Sequence, residues 1–127
     1  MADVENRSEF AHYTRLRPER GDFGFWFADD TGGWMSVVWL LFLPARGPGY
    51  GFVRDGVPEL SVCTRAEHRG RGLGRELMTL ALGEARGRGV GAVSLSAEPD
   101  NPALRLYESL GFMPVADAPA GTMIVHL

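Results

Sequence analysis

The chain has 127 residues, 45% of them apolar and 23% charged, with a net charge of -3 and a single cysteine, Cys63. That length suits one domain, residues 1–127, with a core of its own. The acidic balance argues against a general nucleic-acid coat, and the lone cysteine excludes an internal disulfide framework and fits a reducing cytoplasm.

The basic residues other than histidine are all arginine, which excludes a Schiff-base lysine and a phosphate-loop lysine alike. Met1 to Asn6 is polar and acidic, so no secretory leader is expected. The longest apolar run, Val37 to Leu43, is too short to span a bilayer, and no membrane partner is expected.

Ser8 to Leu16 reads as a short helix that stops before Pro18. Phe23 to Ala28 is a strand, followed by a turn at Asp29-Asp30-Thr31-Gly32-Gly33. Asp22, Asp29 and Asp30 read as solvated loop and turn charges. Trp34 to Leu43 is a long buried strand ended by Pro44. Trp26, Trp34 and Trp39 make this half dense in aromatic side chains, which suits a core; the alternatives are an acceptor-pocket wall or a dimer surface. Ala45 to Gly49 is a loop, Tyr50 to Arg54 a short strand, and Asp55-Gly56 a hairpin-type turn.

Pro58 to Thr64 is the next strand. Arg69-Gly70-Arg71-Gly72-Leu73-Gly74-Arg75 then opens a helix that runs from Glu76 to Arg88. Its stripe is Leu73, Leu77, Ala81 and Ala85, broadened by Met78 and Leu82. Gly87, Gly89 and Gly91 end it. Ala92 to Ala97 is a strand with Val93 and Leu95 alternating against Ser94 and Ser96. Strand, helix and strand at this spacing imply a parallel, right-handed crossover. Asn101-Pro102 starts a second helix, with Asn as N-cap and Pro at the first helical position. It runs through Leu110 and stops at Gly111. Phe112 to Ala116 and Thr122 to Leu127 close the chain as an antiparallel hairpin.

The glycine-rich turn carries the strongest chemical signal. A turn leading into a helix leaves the first-turn N–H groups unpaired and converging, and the helix dipole adds positive charge there. Such a site takes phosphate. Arg65, Arg69, Arg71 and Arg75 surround it, opposed by Glu67, and arginine forks match phosphate oxygens. The spacing fails the dinucleotide pattern G-x-G-x-x-G from either Gly70 or Gly72. Gly87-Arg88-Gly89-Val90-Gly91-Ala92 fits a looser version but follows a helix, the wrong context.

Arg69-x-x-Gly72-x-Gly74 after a strand resembles the acyl-CoA-binding motif of the GNAT N-acetyltransferase family. Asn101-Pro102-Ala103-Leu104-Arg105-Leu106-Tyr107-Glu108-Ser109-Leu110-Gly111-Phe112 resembles that family's second motif. The resemblance extends in outline from Phe23 to Leu127 and is sharp from Pro58 to Val115. It implies a mixed, partly parallel central sheet flanked by helices, the GNAT-like acyl-CoA N-acyltransferase fold, shortened at the N-terminus by the loss of the usual first strand and long helix.

The resemblance also implies roles. Acetyl-CoA is the co-substrate, with its pyrophosphate on the backbone of Arg69, Gly70, Arg71, Gly72, Leu73, Gly74 and Arg75. The preceding strand carries a bulge and splays from the next, and the pantetheine arm pairs with backbone near Val62 and Cys63. Asn101 contacts that arm, or serves only as an N-cap. Tyr107 gives a proton to the leaving thiolate, or is only an aromatic core contact. Glu59 is general base for the acceptor amine, or a solvated strand-edge carboxylate, with Glu98 and Ser96 as substitutes.

Cys63 reads as a buried strand thiol rather than a nucleophile. His12, His68 and His126 lack metal-ligand spacing, so no metal is expected. The leading function is acetyl-CoA-dependent N-acetyl transfer to a primary amine by direct attack in a ternary complex. The alternative is a non-catalytic acyl-CoA-binding or regulatory module, suggested by the shortened start. A nucleic-acid-binding domain is disfavoured by the sequence pI of about 5.6. The sheet surface left by the shortening implies a homodimer.

Overall fold

The computed structural model describes residues 2–3, 19, 21–42, 56–116 and 118–127. The helix expected at Ser8 to Leu16 and the strand expected at Tyr50 to Arg54 lie outside the described residues.

The strands are β1 (Ala2–Asp3), β2 (Phe23–Ala28), β3 (Trp34–Leu41), β4 (Glu59–Thr64), β5 (Ala92–Ser96), β6 (Met113–Pro114) and β7 (Thr122–His126). The helices are α1 (Leu73–Gly87) and α2 (Leu104–Ser109), with one 3-10 turn at Ala66–His68. Among the described residues the strands form one sheet in the order β1-β2-β3-β4-β5-β7-β6. All pairings are antiparallel except β4 with β5. The crossover through α1 therefore joins the parallel pair, as the strand–helix–strand spacing implies.

β1 pairs with Trp26 and Phe25 at the sheet edge. The described residues thus include a short edge strand ahead of β2. Polar, acidic Ala2-Asp3 carries no strand pattern that sequence alone could reveal.

Asp22 is buried rather than solvated, because its carboxylate accepts the Phe42 N–H at 2.7 Å. It ties the start of β2 to the end of β3. Asp29 is a turn residue as expected: its Oδ1 accepts from the N–H groups of Thr31 and Gly33, both at 2.9 Å.

Of the stripe read from sequence, α1 buries Leu77, Met78, Ala81, Leu82 and Ala85, while Leu73 is half-buried. They pack with Val38, Leu40 and Leu60 of the sheet. The helix ends in a Schellman motif: Val90 N–H donates to the Ala85 carbonyl at 3.0 Å and Gly89 N–H to Arg86 at 3.1 Å. Gly89 has φ of 81°, which glycine adopts without strain. α2 ends in the same way at Gly111, with Phe112 N–H on the Tyr107 carbonyl at 3.1 Å.

β5 is central, between β4 and β7, and its first four residues are buried. Ser94 is therefore inside, against the alternation read from sequence, and its N–H donates to the Pro58 carbonyl at 3.0 Å. A second cluster, Trp26 and Val37 with Trp34 and Trp39, packs separately from the main core.

Candidate cofactor cleft and catalytic face

β4 runs in register with β3 from Leu41↔Glu59 to Ser36↔Thr64 without a break. The bulge implied for β4 is absent from this pairing; a register shift falls instead in β2, at Phe27/Ala28. On its other side β4 meets β5 at a single register pair, Glu59↔Ser94. Past that point no register pair joins the two parallel strands, which leaves the Val62 backbone toward the gap, whereas the Cys63 carbonyl accepts Ser36 Oγ at 3.2 Å and the Thr64 carbonyl accepts Arg69 Nε at 3.2 Å. An extended chain with alternating amide groups can add itself to such an edge.

Alternation along β4 sorts its side chains onto two faces. Leu60 lies in the main core and Val62 packs against it. A Cβ placed on Gly74 would stand 3.9 Å from Thr64 Oγ1 and 4.0 Å from Val62 Cγ2. Leu60, Val62 and Thr64 thus face α1, and Glu59, Ser61 and Cys63 face the opposite side. Cys63 is exposed, not buried, because described residues pack on the α1 side of this strand and leave its thiol outside.

At the end of β4 the chain passes Ala66–His68 and enters the glycine-rich turn. Gly70 and Gly72 have φ of 82° and 76°. Gly72 is the N-cap of α1 and supplies no side-chain cap. The first helical bond there is Glu76 N–H to the Gly72 carbonyl at 3.1 Å. Among the described residues the N–H groups of 70 to 75 donate to no acceptor. Nothing lies within 4 Å of where a Cβ on Gly70 or Gly72 would sit. A row of unspent donors at a helix start, with open space before it, fits a pyrophosphate.

A cleft of about 310 Å³ occupies this place, lined by Thr64, His68, Arg69, Gly70, Gly72, Leu73, Gly74, Arg75 and Leu106. It gathers most of the cradle residues read from sequence. It adds Thr64, His68 and Leu106, which the motif reading passes over. Leu106 had a usable signal, since it neighbours Tyr107 in the second motif; Thr64 and His68 had only their nearness to the turn.

The arginines are not equivalent. Arg65 is turned away from the cleft, paired with Glu67 at 3.0 Å and stacked over the Trp34 ring at 5.6 Å. Arg69 donates through Nε to the Thr64 carbonyl at 3.2 Å. Arg75 donates to Ser109 Oγ at 3.0 Å. Arg71 is exposed and does not line the cleft.

Asn101 accepts the Ala103 N–H on Oδ1 at 2.8 Å and its carbonyl accepts the Leu104 N–H at 3.1 Å. It caps the turn that leads into α2, which begins slightly later than the Asn-Pro pattern suggests. Tyr107 is 8% exposed and packs edge-on to Phe112. Burial pushes its phenol above the usual tyrosine range. Glu59 is half-buried at the start of β4, with Oε1 inside. Asn101, Tyr107 and Glu59 stand outside the lining of the phosphate cleft. Among the described residues no group of three His, Cys, Asp or Glu is placed to hold a metal ion, and no helix is long and apolar enough to cross a membrane.

Comparison with known proteins adds to this geometry. The model of the Acetyltransferase (GNAT) family matches residues 2–112. The mycothiol acetyltransferase of Thermomonospora curvata is 56% identical over 101 residues, which is 70% of this chain and 34% of that protein. The chain spans about a third or less of the length of the mycothiol acetyltransferases it matches. The ribosomal-protein-alanine N-acetyltransferase of Brucella melitensis superposes with a TM-score of 0.70 at 26% identity, over 99% of this chain and 80% of that one. A phosphinothricin acetyltransferase of Sinorhizobium meliloti, solved in complex with AcCoA, superposes with a TM-score of 0.71 at 18% identity, over 94% and 69% of the two chains.

Proposed function

Because the chain belongs to the GNAT acetyltransferase family, we propose that it is an acetyl-CoA-dependent N-acetyltransferase that acetylates a primary amine within a ternary complex. The observation that carries this reading is the continuity of two features. The unspent N–H groups of residues 70 to 75 lead directly to the unpaired edge of β4 beyond Glu59.

Acetyl-CoA supplies an acetyl group activated as a thioester. The backbone of residues 69 to 75 holds its diphosphate, with Arg75 on the cleft wall. Val62 offers backbone groups to its pantetheine arm, whereas the carbonyl of Cys63, the second residue named for that role, already accepts Ser36 Oγ; Asn101 contacts the arm through Nδ2, since Oδ1 is already engaged. Glu59 takes the proton from the acceptor ammonium, directly or through water. Tyr107 gives its phenolic proton to the departing thiolate, a role supported by its place in the second motif.

The same reading makes residues 1–127 one GNAT-like domain, cytoplasmic and active as a homodimer. Among the curated relatives, the names mycothiol acetyltransferase and L-amino acid N-acyltransferase support an amine acceptor of small size.

Calorimetric titration with acetyl-CoA tests the assignment. Gly72→Asp is a blunt variant, because any side chain at φ of 76° also strains the backbone. Gly74→Asp is cleaner: a Cβ there makes ordinary contacts, and its carboxylate enters the cleft. Binding by wild type and loss of binding by folded Gly74→Asp supports the assignment. Binding without turnover of any amine moves the protein to the non-catalytic acyl-CoA-binding reading.

A further inference from the structure

Where β4 gives way to the turn before α1, one side chain belongs to both. Thr64 ends β4, is half-buried and lines the cleft. A Cβ placed on Gly74, in the first turn of α1, would stand 3.9 Å from Thr64 Oγ1, 3.9 Å from Leu106 Cδ2 and 4.0 Å from Val62 Cγ2. One hydroxyl and two apolar side chains thus surround the point where the unspent N–H groups of the turn meet the end of β4.

Hydrogen bonds set the direction of that hydroxyl. Ser36 is fully buried on β3, opposite Thr64 in the register. Its Oγ lies 3.2 Å from the Cys63 carbonyl, to which it donates, and 2.7 Å from Thr64 Oγ1. A serine hydroxyl has one proton to give. With that proton on the carbonyl, the shorter contact requires Thr64 to donate and Ser36 to accept. The opposite direction would leave Ser36 facing the carbonyl with a lone pair, a cost in a buried place. Thr64 has therefore spent its proton inward, and toward the cleft it offers lone pairs alone. The main-chain acceptors beside it are in use: the Cys63 carbonyl by Ser36 and the Thr64 carbonyl by Arg69 Nε at 3.2 Å.

We infer that Thr64 is a cofactor-binding residue whose Oγ1 accepts a hydrogen bond from the hydroxyl or the amide N–H of the arm just past the diphosphate, with Ser36 as the positioning residue that fixes this polarity. This deepens the N-acetyltransferase reading and rests on it. The arm of CoA begins with two methyl groups, a hydroxyl and an amide. The methyl groups suit Val62 and Leu106, and the proton of the hydroxyl or amide suits an acceptor. A phosphate oxygen does not, because two acceptors face to face have no proton to share. Thr64 therefore reads the arm, while the amides of the turn read the diphosphate.

The test is calorimetric titration of the full chain with CoA and, at millimolar concentration, with ADP, which has the diphosphate but no arm. Thr64→Val is expected to weaken CoA by about fivefold, the scale of one neutral hydrogen bond, and to leave ADP unchanged. Thr64→Ser keeps the hydroxyl and holds CoA within about twofold of wild type. Ser36→Ala frees the Thr64 proton and weakens CoA too, but it adds nothing further in the Thr64→Val background, a coupling that a merely structural serine would not show. Should Ser36→Ala fail to fold, the two variants at position 64 decide. Equal loss of CoA and ADP in Thr64→Val means a hydroxyl that donates to phosphate, and it overturns the inference. Unchanged CoA binding in that variant, or a Ser36→Ala effect that adds in full, does the same. Binding of CoA without ADP by wild type places the diphosphate elsewhere and also overturns it. Wild type that binds neither ligand overturns the cofactor reading and this one together, whereas CoA binding with any of the other adverse results overturns this one alone.

Discussion

Arg75 and Ser109 are joined by a hydrogen bond of 3.0 Å, from the guanidinium Nη2 to the serine Oγ. Ser109 in turn donates to the Leu106 carbonyl at 2.7 Å. The first turn of α1 is thus fastened to α2 across the wall of the cleft. A cation held in place loses less entropy on meeting a phosphate than one that must be immobilised. Arg75→Ala is expected to weaken acetyl-CoA binding by about tenfold, the scale of one charge-assisted hydrogen bond. Ser109→Ala keeps the charge and frees the side chain, and a loss of about threefold is expected. Calorimetry on the two variants checks the order; a larger loss for Ser109→Ala would remove Arg75 from the site.

Tyr107 links stability and chemistry to pH. Burial raises its folded-state pKa above the unfolded value, so the neutral phenol is the form the fold favours. Its contribution is present below about pH 10, the unfolded tyrosine value, and is lost as pH rises through the folded pKa. Tyr107→Phe is expected to flatten the fall in melting temperature above about pH 10 relative to wild type. The same variant is expected to lower kcat by about a hundredfold or more with little change in KM for acetyl-CoA. Unchanged kcat would leave Tyr107 as a core aromatic residue.

Two glycines give opposite expectations under the same substitution. Gly83 lies on the exposed face of α1 with open space around it. Gly83→Ala is expected to stabilise by about 0.5–1 kcal/mol, the helix-interior difference between the two residues. Gly121 has φ of 90°, and a Cβ there would run into the Ala97 carbonyl. Because Ala97 N–H also donates to the Gly121 carbonyl at 3.0 Å, the two backbones cannot separate cheaply. Gly121→Ala is expected to cost about 3 kcal/mol or more through strain and overpacking. Urea unfolding of both variants measures the contrast.

Cys63 offers a direct probe of the β4 edge. Its thiol is exposed in the folded protein, so iodoacetamide should label it without denaturant. Acetyl-CoA lying along β4 should slow that labelling severalfold. Equal rates with and without acetyl-CoA would place the pantetheine arm elsewhere.

Local signals made one stretch of the fold readable. The strand–turn–helix–strand unit from β4 to β5 is written in glycine spacing and an apolar stripe, both short-range properties. The caps at Gly89 and Gly111 were equally plain, because positive φ is a demand that glycine meets at no cost. What escaped depends on partners distant in sequence. Alternation told which residues of β4 share a face, but not that the Cys63 face is the one left uncovered. It could not show that β5 is covered on both sides, which buries Ser94. Asp22 looked like a surface charge until Phe42, distant in sequence, brought it a donor. Within the cleft, the glycines and Arg69 were legible as a motif, whereas Thr64 and His68 enter only through the path the chain takes into the turn.

The single bridge between Glu59 and Ser94 also has a mechanical meaning. A sheet stitched across its middle at one point has a seam, and bending or shear is concentrated there. Anything that lies in the seam and bonds to the β4 edge acts as mortar between the two halves. Occupancy should therefore register as stiffness throughout the molecule, far from any atom the ligand touches.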